Sequence, residues 1–297
     1  FTRQLARAMA ESGHDVQVLT TSLSAPAGNA AADPGITVVR AIPHWGWRSL
    51  WATRAWAAEH KLDVVNVQYQ AAMYGLAAPI HFLPDVIGKP CVATFHDLRI
   101  PYLFPKAGGL RQAAVTHLAR SSCAAIATDP ADAAELTRRG IRSVTQIPIG
   151  SNVAAQPPTG YDPVAWRQAR GLRADDFVVG YFGFLNHSKG GDTLIDALAA
   201  LVAAEPRTRL LLIGVQDGSS DATDLVFAER IKAMIEQHHL ADRVIRTGYL
   251  PEAETSAALL ACDVMALPYR DGVSLRRGTL MAALAHGRAI VSTMSDT

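Results

Sequence analysis

Along most of the chain, segments with the apolar pattern of a β-strand alternate with segments that have the apolar pattern of an α-helix. Runs rich in β-branched residues predict strands, and apolar residues spaced three or four apart predict the helices between them. Strands are predicted over residues 15–20, 36–42, 63–67, 90–95, 124–128, 144–148, 177–182, 209–213, 244–247, 263–267 and 289–293. Strands that alternate with helices in this way favour right-handed βαβ units and parallel sheets.

The alternation stops once, over residues 151–163. This stretch holds three prolines and one glycine without any apolar period, which predicts an interdomain linker. We therefore expect two domains, residues 1–152 and 153–297. Each is an α/β, Rossmann-like doubly wound parallel sheet, and the two face each other across a cleft. Ligands of such sheets bind beyond the carboxyl ends of the strands.

Two helical segments of the first domain carry further expectations. Residues 70–80 are predicted to be helical. A second helix carries Trp47, Trp51 and Trp56. Tryptophans can stack on sugar rings, but their helical spacing favours packing against neighbouring elements.

Composition excludes several classes of protein. The 28 basic and 27 acidic residues give a net charge of +1, so no nucleic-acid partner is expected. No apolar run reaches the ~18 residues of a membrane-spanning helix. Three isolated cysteines (Cys91, Cys123 and Cys262) have no metal-ligand spacing and are interpreted as small buried residues. His81 and His117 have no partner pattern and are interpreted as surface or packing residues.

A glycine-rich loop follows the predicted strand 177–182. Gly183, Asn186, Lys189 and Gly190 precede a helix, where backbone N–H groups and a lysine suit a diphosphate. The alternative is an ordinary strand–helix turn with a solvated lysine.

A second loop, residues 270–279, follows the predicted strand 263–267. It holds three arginines, two hydroxyl side chains and two glycines, which can hold an anion. We single out Ser274, Arg277, Gly278 and Thr279. The alternative is a solvated basic loop, but its place at a strand's carboxyl end favours function.

The first domain has its own candidate residues. His96 and Asp97 end the predicted strand 90–95, where a histidine can donate a hydrogen bond or move a proton. In the alternative, Asp97 caps the next segment. Gly150 and Asn152 close the domain, and Asn152 can bond a ligand or cap the linker.

Several segments together resemble the family 4 glycosyltransferases, which have the GT-B architecture of two Rossmann-like domains. Residues 147–152 (IPIGSN) resemble the family's IPNGVD segment, and residues 183–190 (GFLNHSKG) resemble GRLxxxKG. Residues 263–268 (DVMALP) resemble ADVFVLPS, and residues 282–291 (AALAHGRAIV) resemble EAMACGxPVV. The segments occur in the family's order and cover essentially the whole chain.

The resemblance has departures. Phe184 stands where the family has its donor-site arginine, and Ser274 and Ala282 stand where it has paired glutamates. The family's first strand would precede Phe1, and its last strand and crossing helix would follow Thr297. We therefore expect a fragment truncated at both ends that does not catalyse by itself.

The resemblance implies a bacterial-type hexosyltransferase that uses a nucleotide-diphosphate sugar and acts with retention in polysaccharide or glycoconjugate synthesis. Lys189 and His96 would be catalytic, and Arg277 would join Lys189 on the donor diphosphate. His96, Asp97, Gly150 and Asn152 would lie on the sugar or acceptor side.

The expected acceptor is a glycan or a lipid-linked sugar, and no cofactor or metal is expected. The expected location is cytoplasmic, with room for a peripheral contact with the inner membrane. Two alternatives are a catalytically weak GT-B-like binding partner of an active transferase and a nucleotide-sugar epimerase.

Overall fold

The chain forms two compact units. The computed structural model describes residues 1–22, 34–98, 108–214 and 222–294. Unit 1 comprises Phe1–Ile149 and unit 2 comprises Gly150–Thr297. The predicted boundary lies after residue 152, so Gly150 and Asn152, expected at the end of the first domain, belong to unit 2.

Unit 1 alternates helices and strands as predicted. Its described elements are α1 (Thr2–Glu11), β1 (Val16–Thr21), β2 (Ile36–Ile42), α2 (Trp47–Glu59), β3 (Val65–Tyr69), α3 (Leu83–Ile87), β4 (Cys91–Phe95), α4 (Gly108–Ser121), β5 (Ala124–Ala127), α5 (Pro130–Arg138) and β6 (Val144–Gln146). Strands β1 and β2 pair in parallel, and β3, β4, β5 and β6 form a second parallel sheet in that order.

The predicted helix over 70–80 is replaced by two 3₁₀ helices, Ala71–Tyr74 and Ala78–Phe82. Gly75 adopts a left-handed conformation with φ of 59° and ends the first of them. Leu76 follows with φ of 60°, an unusual value for a residue with a branched side chain. The chain therefore turns sharply between β3 and α3.

Helix α2 buries one face and exposes aromatic residues on another. Ser49, Leu50 and Thr53 are buried, whereas Trp47 and Trp51 are each 61% exposed. These two tryptophans are therefore not core residues, because helical spacing does not distinguish the buried face from the exposed one. The Trp47 ring nevertheless contacts the Phe82 ring of a neighbouring 3₁₀ helix at 5.5 Å. The interpretation of Cys123 as a buried residue is wrong, since it is exposed.

Unit 2 is built on one parallel sheet. Its described elements are α6 (Pro163–Gln168), β7 (Phe177–Phe182), α7 (Gly191–Ala204), β8 (Thr208–Ile213), α8 (Ala222–Gln237), β9 (Val244–Arg246), α9 (Glu252–Leu260), β10 (Val264–Leu267), α10 (Gly278–Ala285) and β11 (Ala289–Ser292). The strand order is β11-β10-β7-β8-β9, and every pair is parallel. The predicted α/β class is confirmed.

Alternating residues of β7 and β8 contribute to two separate apolar cores. Val178 and Leu211 belong to one core, and Val179 and Leu210 belong to the other. All four are buried because helices cover both faces of the sheet. This double covering fixes β7 in the middle of unit 2 and holds its carboxyl end in place.

Gly180, at the centre of β7, is closely surrounded by other core residues. A Cβ added at Gly180 would lie 2.4 Å from Cys262 Sγ and 2.6 Å from Met265 Sδ. We expect Gly180→Ala to lower the free energy of unfolding by ~1–3 kcal/mol through overpacking. Chemical denaturation measures it. Gly150→Ala, with no atom within 4 Å of the new methyl group, is the control. Equal stabilities of the two variants would contradict the prediction.

Candidate functional site

The connections of unit 2 change direction at β7. From β7 the chain continues through β8 to β9 on one side of the sheet, and later through β10 to β11 on the other. Strands β7 and β10 are hydrogen-bonded neighbours, so a crevice opens beyond their carboxyl ends. Open α/β sheets bind ligands at such a switch point. Both predicted anion loops, 183–191 and 270–279, begin there.

A single 3₁₀ turn shapes the loop after β7. Asn186 Oδ1 accepts hydrogen bonds from the Lys189 backbone N–H at 3.2 Å and from the Ser188 hydroxyl at 3.0 Å. Gly190 follows with φ of 67°, and a Cβ there would lie 1.9 Å from the Pro268 carbonyl oxygen. Only glycine permits both this conformation and this approach to the end of β10. Asn186 and Gly190 therefore shape the loop.

The Lys189 ammonium group lies beside the start of its own loop. Its Nζ is 5.7 Å from the centre of the Phe184 ring, within reach of a cation–π interaction. A Cβ built on Gly183 would lie 3.2 Å from Lys189 Nζ and 3.0 Å from Thr279 Cγ2. Lys189 and Thr279, from different loops, therefore converge on the Gly183 backbone.

Tyr269 organises the arginine-rich loop. It is buried, and its hydroxyl lies 2.6 Å from Thr279 Oγ1. The Arg277 guanidinium carbon lies 4.7 Å from the centre of the Tyr269 ring, and Arg277 also pairs with Asp271. Burial raises the pKa of Tyr269, so its phenol keeps its proton. Sequence reasoning missed Tyr269 because it follows β10 as one more apolar residue.

The same loop leads into helix α10. Ser274 Oγ accepts a hydrogen bond from the Arg276 backbone N–H, and the Ser274 carbonyl accepts one from the Arg277 N–H, both at 3.1 Å. Helix α10 begins at Gly278, and the side chain of its N-cap residue, Arg277, does not cap it. Its first-turn N–H groups and the positive end of its dipole are therefore suited to an anion.

The two loops are joined at Arg270. Its backbone N–H donates to the Ser188 carbonyl at 3.0 Å, and its guanidinium pairs with the Asp192 carboxylate. Arg230 lies 3.6 Å from the same carboxylate. Burial opposes ionisation of Asp192, but hydrogen bonds and the charge of Arg270 outweigh it and lower the Asp192 pKa. Asp192, the first acidic residue of α7, was not singled out from the sequence.

Asn152 lies near this site and not in the first domain. A Cβ built on Gly278 would be 3.9 Å from Asn152 Nδ2. Asn152 was expected on the sugar or acceptor side, and its side chain lies beside the start of α10. Gly150 is exposed, with open space around its Cα.

His96 directly follows β4 in unit 1. Its Nε2 lies 2.9 Å from Gln68 Oε1, and its backbone N–H donates to the Tyr69 carbonyl at 3.0 Å. Burial lowers the pKa of His96, so the ring is neutral near pH 7. With Nε2 donating to the Gln68 oxygen, Nδ1 is left as a hydrogen-bond acceptor.

A pocket of unit 1 is lined by Asp97 and by a tyrosine–histidine pair. His81 Nδ1 and Nε2 each lie 2.8 Å from an oxygen, the Ala78 carbonyl and the Tyr69 hydroxyl. Burial lowers the pKa of His81 and raises that of Tyr69 to about 12. The neutral ring therefore donates to Ala78 and accepts from Tyr69. Sequence reasoning missed this pair because its members are joined only by the turn after β3.

The described residues contain neither a cluster of metal ligands nor a membrane-spanning helix. No group of three or more His, Cys, Asp or Glu residues in the described ranges could hold a metal ion. Among the helices that the structure describes, none is long and apolar enough to cross a membrane.

Family models match both units. A model described as "Glycosyl transferase 4-like domain" matches residues 1–150, and one described as "Glycosyl transferases group 1" matches residues 176–297. The first match alone covers half of the chain.

A relative with an assigned activity is also similar in sequence. The D-inositol 3-phosphate glycosyltransferase of Segniliparus rotundus is 28% identical over 205 residues, which cover 66% of this chain and 44% of that protein. The chain matches less than half the length of each of the curated relatives.

Solved structures share the architecture. Sucrose-phosphate synthase from Thermosynechococcus elongatus matches with a TM-score of 0.72 and 21% identity, over 98% of this chain and 74% of that chain. HepE from Anabaena, in complex with UDP-glucose, matches with a TM-score of 0.68 and 20% identity, over 94% and 80% of the two chains. Likeness at these identities shows the fold.

The lowered pKa of His81 predicts a pH-dependent stability of unit 1. In the unfolded chain His81 binds a proton near its ordinary pKa of about 6.5, whereas in the folded chain it binds the proton only at a lower pH. We therefore expect the free energy of unfolding to fall as the pH decreases from 7 to 5, with His81 contributing at most ~1.4 kcal/mol per pH unit. His81→Gln, which cannot titrate, should reduce this slope.

Tryptophan fluorescence during chemical denaturation measures the effect, because Trp45, Trp47, Trp51 and Trp56 lie in unit 1 and only Trp166 lies in unit 2. Tyr69→Phe keeps the histidine and is the matched control for loss of the hydrogen bond. An unchanged slope in His81→Gln would refute the assignment.

Proposed function

On the premise that this chain belongs to the glycosyl transferase family that its two units match, with the GT-B fold, we propose that it transfers a sugar from a nucleotide-diphosphate donor. The acceptor is a hydroxyl of a glycan or of a lipid-linked sugar, in polysaccharide or glycoconjugate synthesis. The observation that carries the proposal is the convergence of Lys189, Thr279 and Arg277 at the switch point of unit 2.

The chemistry of these groups suits a diphosphate. Lys189 supplies a compact charge, Arg277 supplies a planar set of N–H donors, and α10 supplies uncapped backbone N–H groups. The HepE structures, which contain UDP or UDP-glucose, support a nucleotide sugar as the donor. UDP-glucose is therefore the first donor to test.

In the proposed reaction, the bond between the sugar's anomeric carbon and the diphosphate oxygen breaks. The acceptor oxygen forms the new glycosidic bond on the same face of the sugar and gives its proton to the departing diphosphate oxygen, so the configuration is retained. Negative charge grows on the departing diphosphate, where Lys189 and Arg277 stabilise it. Fixed charges of this kind are often the largest contribution to catalysis.

Unit 1 supplies the acceptor side of the proposal. The neutral His96 ring presents Nδ1 as an acceptor for a sugar or acceptor hydroxyl. Asp97 lines a pocket of the same unit, and a carboxylate there can accept hydrogen bonds from sugar hydroxyl groups. His96 is thus proposed to contact the reacting molecules, and Asp97 to orient the acceptor.

The proposal extends to cofactors and location. The reaction needs no metal ion, because Lys189, Arg277 and the α10 amide groups neutralise the diphosphate. The protein acts in the cytoplasm, and a lipid-linked acceptor brings it to the inner membrane. If no metal ion is needed, chelation with EDTA should leave the rate of sugar transfer unchanged.

One observation favours a second candidate function. Ala282, which stands where the resemblance places a ribose-binding glutamate, is 1% exposed within the core of unit 2. A GT-B-like partner that binds nucleotide without turnover would tolerate this loss. Nucleotide binding without transfer or hydrolysis of any nucleotide sugar would favour this candidate over the first.

The role of Lys189 is tested by removing its charge. We expect Lys189→Ala to weaken binding of UDP and UDP-glucose at least tenfold, about 1.4 kcal/mol, because a charge facing the diphosphate is lost. Titration calorimetry measures the affinity. Lys232→Ala on α8 is the control, and Lys189→Arg should retain part of the affinity. Unaltered binding in Lys189→Ala would reject the role.

The role of Arg277 needs a double variant. Removing Arg277 alone leaves the Asp271 carboxylate without its guanidinium partner and adds repulsion of the ligand. Arg277→Ala is therefore compared with Asp271→Asn and with the combined variant. We expect about tenfold weaker UDP binding whenever Arg277 is absent, roughly 1.4 kcal/mol. Full affinity in the combined variant would mean that Arg277 only neutralises Asp271.

A further inference from the structure

The exposed face of α2 combines indole rings with arginines. Trp47 and Trp51 are each 61% exposed, and the neighbouring Arg48 and Arg54 are exposed as well. Side chains as large and apolar as tryptophan are rarely left this open in pairs, and clustered exposed apolar groups mark interaction surfaces. We call Trp47, Arg48, Trp51 and Arg54 the indole–arginine face.

The helix geometry places the two indoles side by side. Residues 47 and 51 differ by about 40° around a helix of 3.6 residues per turn. Ala55 and Ala58 continue the same exposed strip toward the end of α2. Leu50 and Ala57 lie on another side of the helix and pack into the core of unit 1. The exposed strip therefore runs over the length of the helix, with the two indoles near its start and the two alanines toward its end.

Contacts with the rest of unit 1 fix the orientation of the rings. The Trp47 ring lies 5.5 Å from the Phe82 ring, and the Arg54 guanidinium carbon lies 5.8 Å from the centre of the Trp51 ring. Arg54 also donates to the Val86 carbonyl at 3.1 Å. The indoles are thus held in place before any partner binds.

The charge on this face has one sign. Between Trp47 and Ala58 the helix has two arginines and no acidic residue, and Glu59 is its last residue. The whole chain has a net charge of only +1, so the local excess is not a general property of the protein. Such a face is complementary to a negatively charged partner.

We propose that the indole–arginine face docks on an anionic phospholipid surface. Indole rings partition into the headgroup region, where an apolar ring and its N–H group are both accommodated, and arginines attract lipid phosphates. A surface helix that carries both indole rings and arginines can lie along the plane of such a membrane surface. The inference rests on the membrane-face location proposed above and gives it a specific surface, without depending on the transfer reaction.

Vesicle binding of the whole chain, without any sugar donor, tests this directly. We expect binding to phosphatidylcholine vesicles containing phosphatidylglycerol, weak binding to phosphatidylcholine alone, and loss of affinity as salt is raised. Trp51→Ala should weaken binding at least fivefold, and Trp47→Ala with Trp51→Ala more strongly. Arg48→Glu should weaken binding to the anionic vesicles several-fold.

Matched variants control for general effects. Tyr249→Ala removes an aromatic ring that is 78% exposed in unit 2, and Arg138→Glu makes the same charge change on α5. Both should bind vesicles like the unaltered chain. Circular dichroism confirms folding, and Trp51→Ala alone decides the test if the double variant unfolds.

Three results would overturn the proposal: no binding of the unaltered chain to anionic vesicles, equal binding of the Trp51→Ala and Tyr249→Ala variants, or self-association that depends on Trp51 without vesicle binding. The last result would assign the face to a second copy of the chain. None of these results affects nucleotide binding, so a failure here is distinguishable from a failure of the proposed transfer function.

Discussion

Gly190 lies so close to the carbonyl of Pro268 that no side chain fits between them. This contact sets how near the loop after β7 can approach the end of β10. The parallel strand order makes the approach necessary, since β7 and β10 are neighbours whose connections leave in opposite directions. Lys189, which precedes Gly190, is thereby placed beside Thr279. The cationic crevice depends on this single backbone-to-backbone fit.

Two arginines beside the crevice form ion pairs with carboxylates. Asp192 pairs with Arg270, and Asp271 pairs with Arg277. Each pair fixes a long side chain in one direction and lowers the entropy that a ligand would otherwise have to remove. In the proposed function, Lys189, Arg277 and the start of α10 stabilise the diphosphate, and the ion pairs fix the directions of the two arginines.

The order of elements could be predicted from sequence because apolar periodicity is local. The loops at the ends of β7 and β10 were predicted for the same reason. The support of the second loop by Tyr269 and the position of Asn152 depend on contacts between distant residues, which periodicity does not record. The exposure of Trp47 and Trp51 was not predicted, since spacing along a helix identifies a stripe but not the side that faces the core.

Tyr269 contacts Arg277 through its ring and Thr279 through its hydroxyl. Two groups on the crevice therefore share one buried anchor. During divergence, a change at Tyr269 would disturb both together, and neither Arg277 nor Thr279 could be exchanged without altering what the anchor holds for the other. Substitutions at Arg277 and Thr279 are therefore coupled, because both residues depend on the buried Tyr269.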